Sequence, residues 1–288
     1  MLDIKSNIKK FICFLNGNKY NILSPTETLK YIKNKKISFA RFGDGEMDII
    51  LGGNIGFQDD DIELKKRLEE VLQCNNQELL IGIVDALNYR SLKLLTTDSK
   101  KFWINNLYNT RKTWDKYLNK NQCYGNANVT RFYMRFRDKK LSKEIMNEFK
   151  KIWDNRKVIV VEGRYTRFGV GNEILSNALS VQRILCPGKN AFNKYNDILE
   201  FCKEISDEDT LFILALGPTA TILAYDLSLC GFQAIDLGHL DIEFEWYRKK
   251  QDHKIAILQK YTNEVSENDN LEDFHNDIYE KEIIKIVN

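Results

Sequence analysis

Short apolar runs alternate along the chain with longer segments in which apolar residues recur every three or four positions. The runs are ISFARF (37–42), LLIGIV (79–84), VIVV (158–161), QRILC (182–186), LFILAL (211–216) and FQAID (232–236). Runs of this length are typical of strands, and the spacing between them is typical of amphipathic helices. Apolar strands that alternate with helices indicate a parallel sheet covered on both faces. The sequence therefore predicts an α/β fold with a mostly parallel sheet flanked by helices.

Helices are predicted over residues 60–73, about 98–119 and 141–154. Another begins at SPTE (24–27), where serine can act as N-cap, proline suits the first turn and Glu27 can complete a capping box. A short helix after DGE (44–46) should end at Gly52 and Gly53. The segment GHLDIEFEW (238–246) fits two structures, because its polar residues share one face of a strand or stack one turn apart on a helix.

The exits of the predicted strands are where the chemistry is expected. In open parallel sheets, ligands bind beyond the carboxyl ends of the strands, where helix N-termini point their amides inward. At the first exit, Asp44 and Glu46 flank Gly45. Two carboxylates this close can hold magnesium or manganese, with substrate phosphates completing the shell, and Arg41 could meet a phosphate or orient a carboxylate. An ordinary solvated turn is the alternative.

Two further exits have features that suit anions. In EGRYTRFGVGNE, two arginines, a threonine and an asparagine could bind an anion, and two glycines allow the backbone to turn tightly. These candidates are Arg164, Thr166, Arg167, Gly169, Gly171 and Asn172. This is not the dinucleotide fingerprint, and a Walker lysine is missing. In LGPTAT, Gly217, Pro218 and Thr219 could open a helix onto a phosphate. A surface loop and a well-capped core helix are the respective alternatives.

The last exit brings His239, Asp241 and Glu243 close together in sequence. Crowding and partial burial raise a carboxylate pKa, so one of these groups could act as a general base. A solvated acidic face is the alternative. Asp241 with Glu243 is also the alternative to Asp44 with Glu46 as the metal-binding pair.

The composition argues against some classes of function. The 288 residues include 43 basic and 41 acidic side chains, for a formal net charge of +2. Such balance argues against a nucleic-acid partner. No segment approaches the ~20 apolar residues of a membrane-spanning helix, and the N-terminus has no signal-peptide core. The six cysteines are scattered along the sequence, a pattern that indicates reduced thiols rather than disulfides or a zinc site. We therefore expect a cytoplasmic protein, with a peripheral position at the inner membrane face as a minor alternative.

Several of these segments together resemble the bacterial glycosyltransferases with the GT-D fold, a family first described as a domain of unknown function. The resemblance rests on RFGDGE (41–46), TRFYM (130–134), TRFGVGNE (166–173), ALGPTATILAYDL (215–227) and GFQAIDLGHLDIEFEW (231–246). It covers roughly residues 24–262. The expected organisation is an N-terminal extension (1–23), a glycosyltransferase domain (24–262) and an acidic C-terminal tail (263–288).

The resemblance implies a Rossmann-like sheet that binds a UDP-sugar and a divalent metal, manganese or magnesium, and transfers a hexose to a glycan or glycopeptide acceptor. Such acceptors belong to surface polysaccharides or adhesin glycans. By this analogy Asp44 and Glu46 hold the metal. UDP contacts fall on residues 167–172 and 217–219, and Asp241 or Glu243, near His239, is the base. Two other functions remain open: a metal-dependent hydrolase of nucleotide-sugars or phosphoesters, and a non-catalytic nucleotide-sugar-binding protein.

Overall fold

A computed structural model of the protein describes residues 17, 19–205, 207, 209–263, 265, 271 and 274–288. The fold is a nine-stranded parallel sheet with the strand order β1-β4-β3-β2-β8-β7-β5-β6-β9. The strands are β1 (Asn21–Ile22), β2 (Ser38–Arg41), β3 (Leu79–Ile83), β4 (Cys123–Asn126), β5 (Lys157–Gly163), β6 (Ser180–Cys186), β7 (Leu211–Ala215), β8 (Gln233–Asp236) and β9 (Ile283–Ile286). Because every paired strand runs in the same direction, their carboxyl ends meet at one edge of the sheet.

Nine helices connect or flank the strands within the described residues. They are α1 (Pro25–Lys35), α2 (Asp44–Ile50), α3 (Ile62–Gln73), α4 (Thr97–Tyr117), α5 (Lys139–Lys150), α6 (Tyr195–Ile205), α7 (Pro218–Leu229), α8 (Leu240–Arg248) and α9 (Asp277–Glu282). Single-turn helices cover Asp85–Leu87, Tyr89–Lys93, Ala127–Arg131 and Ala191–Lys194. The central strands are buried along their whole length, as β3 and β7 show. Helices therefore cover both faces of the sheet, and the predicted fold class is confirmed.

The helix starts follow local side-chain chemistry. Ser24 caps α1 through its hydroxyl, and the Glu27 carboxylate accepts from the Ser24 backbone N–H, so the predicted capping box is present. Asp61 caps α3 in the same way by accepting from Leu64 N at 2.9 Å. The segment left open as strand or helix forms α8, which begins after His239. Side-chain caps thus mark the starts of α1 and α3.

The structure differs from the expected organisation at two points. Residues 283–286, expected in an acidic tail, form β9 and pair with β6 at the edge of the sheet. Residues 21–22, expected in an N-terminal extension, pair with β4. The two-residue β1 is too short to show an apolar run, whereas β9 has one, IIKI, that was assigned to the tail. The apolar run at 11–15 and Cys13 lie outside the described residues. None of the helices in the described ranges has the length and apolar character needed to cross a membrane.

Candidate active site

An open cavity of about 830 Å³ lies at the carboxyl edge of the sheet. Its walls come from segments that follow β2, β4, β5, β6, β7 and β8, together with Val287 and Asn288 after β9. This is where a parallel sheet positions ligands, because the connecting loops and helix N-termini converge there. Of the residues predicted as site residues, the cavity is lined by Arg41, Asp44, Glu46, Arg164, Thr166, Gly217, His239 and Asp241.

The DGE segment forms the first turn of α2 rather than a separate turn. Gly43 is the N-cap residue, and its backbone N–H donates to Glu46 Oε2 at 2.7 Å. Asp44 and Asp48 lie one helical turn apart, and both line the cavity. Proximity to Asp44 adds to burial in raising the pKa of Asp48. This end of the cavity therefore concentrates negative charge at a helix start.

Glu46 is the most perturbed carboxyl group in the cavity wall. Burial, followed by repulsion from Asp236, raises its pKa to about 7, while Arg41 and the Gly43 N–H oppose the shift. When folding raises the pKa of a carboxyl group, the contribution of that group to stability falls as the pH rises from the unfolded-state pKa to the folded-state pKa. The wild-type protein should therefore lose stability between about pH 4.5 and 7 through this group.

The variant Glu46→Gln tests this shift. Glutamine keeps an oxygen acceptor for Gly43 N–H but has no charge to desolvate. In metal-free buffer at pH 8 we expect it to be more stable than wild type by about 1–3 kcal/mol, and the difference should vanish at pH 4.5. Urea unfolding at the two pH values measures this. A variant equally stable or less stable at pH 8 would show that the ionised carboxylate is well accommodated.

The Arg41 guanidinium forms hydrogen bonds with other residues of the protein. Its Nη2 forms an ion pair with Asp236 Oδ1 at 2.8 Å, Nε donates to the Asp236 carbonyl at 2.9 Å, and Nη1 donates to Thr130 Oγ1 at 2.9 Å. The pair joins the ends of β2 and β8, the two adjacent central strands. Arg41 thus orients a carboxylate, which is one of the two roles expected for it.

Gly238 leaves the space that Arg41 occupies. A Cβ at this position would lie 2.2 Å from Arg41 Nη2, and the φ of Gly238 is +43°. We expect Gly238→Ala to cost about 2–4 kcal/mol of stability because it combines backbone strain with displacement of a bonded guanidinium. Gly231→Ala is the matched control, since Gly231 has φ +86° and no atom within 4 Å of a built Cβ. Thermal unfolding compares the two, and equal losses would refute the proposed clash.

The LGPTAT segment opens α7 as predicted, with Gly217 as N-cap and Pro218 at the first turn. Gly217 lines the cavity with φ +56°, whereas Pro218 and Thr219 are buried behind it. A Cβ at Gly217 would lie 2.3 Å from the ring of Phe57, which packs against this helix start. The backbone of Gly217 therefore faces the cavity, and the Thr219 hydroxyl is not part of its wall.

The TRFGVGNE loop turns most of its side chains away from the cavity. Arg167 has φ +50° and donates to the carbonyls of Gln259 and Leu271. The backbone N–H of Gly169 and the Asn172 amide donate to Asp241 Oδ1 at 3.0 and 2.7 Å. Gly171 lies in a separate depression of about 310 Å³. The loop supports α8, and from this region the cavity wall takes Gly163, Arg164, Tyr165 and Thr166, which precede the loop residues 167–173.

The three candidate catalytic residues have different environments. His239 lines the cavity at the start of α8. Asp241 also lines it, but Oδ2 is paired with Lys260 Nζ at 2.6 Å and Oδ1 accepts the two hydrogen bonds from the loop. Glu243 lies outside the cavity wall, and its Oε2 accepts from the amides of Tyr133 and Met134 at 3.0 and 2.9 Å. His239 is thus the member of this group best placed to exchange a proton with a ligand.

Several cavity residues were not predicted from the sequence. They are Asp48, Trp103, Asn128, Arg131, Arg135, Tyr165, Lys189, Tyr261 and Asn263. Most come from irregular segments, where periodicity gives no information. The TRF triplet at 130–132 was the one indication, because it precedes Arg135 and contains Arg131.

The donor set near α2 suits a hard divalent cation. Asp44, Glu46 and Asp48 provide carboxylate oxygens, which such ions prefer. Within the described ranges, no group of three or more histidine, cysteine or acidic residues is arranged to hold an ion by itself. Magnesium and manganese commonly bind through one or two carboxylates plus substrate phosphates. Burial and repulsion from Asp236 raise the pKa of Glu46, and a bound cation would favour its ionised form. The residues therefore fit a metal shared with a phosphorylated substrate.

Comparisons with known proteins agree with this geometry. Residues 39–265 match the family model described as glycosyltransferase GT-D fold. The chain is 34% identical over 265 residues to a probable glycosyl transferase, Gly, of Streptococcus gordonii, covering 92% of this chain and 38% of the relative. It is 32% identical over 259 residues to the glycosyltransferase GlyD of Streptococcus pneumoniae serotype 4, covering 90% of this chain and 31% of that protein. The chain thus spans less than two fifths of these curated relatives.

Solved structures show the same similarity over nearly the whole chain. One, described as a highly conserved domain of unknown function 1792 with a distinct glycosyltransferase fold, has a TM-score of 0.89 at 33% identity and covers 97% of this chain and 100% of its own. Another, described as a new glycosyltransferase from Streptococcus sanguinis, has a TM-score of 0.86 at 32% identity, with 93% and 100% coverage. With the parallel sheet and the cavity at its carboxyl edge, these matches establish that the chain belongs to the glycosyltransferase family with the GT-D fold.

Proposed function

We propose that the protein transfers a hexose from a UDP-sugar to a glycan acceptor, with a divalent metal in the α2 half of the cavity. The observation that carries this proposal is the cavity itself, which places acidic and basic side chains at one sheet edge in a member of this family. The volume of about 830 Å³ is in the range that suits a nucleotide-sized ligand.

Asp44 and Glu46 would hold the metal, and Asp48 lies one helical turn from Asp44. When bound, a metal supplies positive charge that stabilises a leaving diphosphate. The chain's own contribution is to fix these carboxylates at the rigid start of α2, where the Gly43 N–H orients Glu46. Arg41 holds Asp236 and so maintains the junction between the β2 and β8 exits.

The acceptor hydroxyl must lose a proton as the new glycosidic bond forms. We assign this proton transfer to His239, because it lines the cavity and imidazole exchanges protons near neutral pH. Asp241, whose oxygens bind Lys260 and the 169–172 loop, would keep α8 and its first residues in place. Glu243 lies outside the cavity wall, so it has no part in this proposal.

Incubation with a panel of UDP-sugars, manganese and glycan acceptors tests the proposal. We expect label from one donor to appear in an acceptor, with release of UDP that depends on manganese and is accelerated by the acceptor. Release of free sugar at a rate unaffected by any acceptor would instead indicate a hydrolase. Binding without turnover would indicate a nucleotide-sugar-binding protein.

A further inference from the structure

Arg135 is a cavity arginine whose hydrogen-bonding capacity is largely unused. Arg135 lies in the irregular segment after the single-turn helix Ala127–Arg131 and lines the cavity. Its Nη1 donates to Asn128 Oδ1. An arginine carries five N–H donors, and among the described residues no other hydrogen bond from this guanidinium occurs. The group is therefore half-buried in the wall of the cavity with most of its donors available to a ligand.

The protein fixes the orientation of this guanidinium. Asp85, buried at the exit of β3, accepts from Asn128 Nδ2 at 2.5 Å, so the Asn128 oxygen is turned toward Arg135. Asn126, at the end of β4, donates to the other oxygen of Asp85 at 3.1 Å. The Trp103 ring centroid lies 4.9 Å from the Arg135 Cζ. Two strand exits and one aromatic ring thus hold a guanidinium in place ahead of any ligand.

The charge of Arg135 is poorly compensated. No ion pair joins it to a carboxylate among the described residues. Burial, followed by repulsion from Arg131, lowers its pKa to about 10, and attraction to Asp44, Asp85 and Glu243 opposes that shift. It remains cationic at neutral pH. By contrast, Arg41 is neutralised by Asp236, and Arg167 is not part of the cavity wall and donates to the carbonyls of Gln259 and Leu271. Of these three arginines, Arg135 is the one that both lines the cavity and lacks an anionic partner.

We propose that Arg135 binds the diphosphate of the donor nucleotide. A planar guanidinium pairs with phosphate oxygens through two parallel hydrogen bonds, which suits a group with one neutral partner and open donors. The Asp44 carboxylate lies close enough to attract the Arg135 guanidinium. A metal held by Asp44 and a phosphate held by Arg135 would therefore share one end of the cavity. The inference rests on the proposed function, and it replaces Arg167 with Arg135 as the phosphate-binding arginine.

Calorimetric titration with UDP, inorganic pyrophosphate and uridine, in the presence of manganese, tests the inference. Arg135→Ala should weaken binding of UDP and pyrophosphate about 10- to 100-fold and leave uridine binding unchanged, because charged hydrogen bonds contribute only to the phosphates. Arg135→Lys should show a smaller loss, since it keeps the charge but not the paired donors. Arg137→Ala is the matched control, because Arg137 is exposed, lies two residues away and is not part of the cavity wall.

Two results would overturn the inference: UDP affinity of Arg135→Ala within twofold of wild type, or a wild-type protein that binds neither UDP nor pyrophosphate at millimolar concentration. Thermal unfolding of each variant checks that the fold is retained, and Arg135→Lys serves if Arg135→Ala unfolds. If diphosphates bind through Arg135 but no sugar is transferred, the proposed function fails and this inference stands. If sugar is transferred and Arg135→Ala binds UDP normally, only this inference fails.

Discussion

Replacing Asp44 by asparagine should lower the rate of manganese-dependent sugar transfer at least about 100-fold. The side chain lies at the first residue of α2, lines the cavity and provides one of the two carboxylates expected to hold the metal. Asparagine has the same shape but removes the negative charge that attracts the ion. The initial rate of UDP release in saturating manganese measures the effect.

The fold should tolerate this change. An acidic residue at a helix start contributes about 0.3–1 kcal/mol through the helix dipole, so stability should fall by no more than that. Asp60→Asn is the control, because Asp60 is exposed and is not part of the cavity wall. It should retain wild-type turnover. If Asp44→Asn also turned over at the wild-type rate, the metal would have to be held elsewhere.

Replacing Lys260 by methionine should destabilise the protein by about 3–5 kcal/mol. The Lys260 ammonium lies 2.6 Å from Asp241 Oδ2 and 3.7 Å from Glu245 Oε1, and the side chains of the Lys260–Asp241 pair are 6% and 2% exposed. Without the lysine, the buried carboxylates of Asp241 and Glu245 would face each other with only the Asn172 amide donating to both. Urea unfolding measures the loss.

A double variant and a control identify the cause. Lys260→Met combined with Asp241→Asn removes both charges of the pair and should recover a substantial part of the loss. Lys249→Met is the matched control, because Lys249 lies 3.9 Å from Glu245 but is 43% exposed. It should cost at most about 1 kcal/mol. Equal stability of Lys260→Met and Lys249→Met would contradict the assignment of Lys260 as the charge that holds Asp241.

Much of the sheet could be predicted from the sequence because strands such as β3 and β7 are uninterrupted apolar runs. The run at 211–216 forms β7, and the run at 79–84 forms β3. The capping box at Ser24 likewise depends on residues only three positions apart. The edge strand β1 is only two residues long and carries no pattern, whereas the apolar sequence of β9, IIKI, follows a segment rich in acidic and amide residues and was assigned to the tail. Local regularity thus accounts for the correct part of the fold prediction.

The contents of the site were harder to predict because side-chain direction depends on tertiary contacts. Arg167 follows a strand as expected, but its positive φ turns the guanidinium toward the carbonyls of Gln259 and Leu271. Glu243 lies one turn from His239 on α8, yet its carboxylate accepts from two distant backbone amides. Sequence spacing cannot specify such partners, which are about 100 residues away.

Arg135 illustrates the converse case. It lies in no predicted element, and its surroundings come from Asn128, Trp103 and Asp85, which are far apart in sequence. Only the folded chain brings them together at the cavity. Charged residues in irregular segments near a strand exit therefore merit the same attention in a sequence as those at the exit itself.

The most direct test of the proposed active site is an anomalous diffraction map of crystals grown with UDP and manganese. The account predicts one manganese peak bound by Asp44 at the start of α2, with the diphosphate between the metal and Arg135. A manganese peak bound by Asp241 or Glu243 would contradict the account. A diphosphate bound beside Lys189, which follows β6, would contradict it as well.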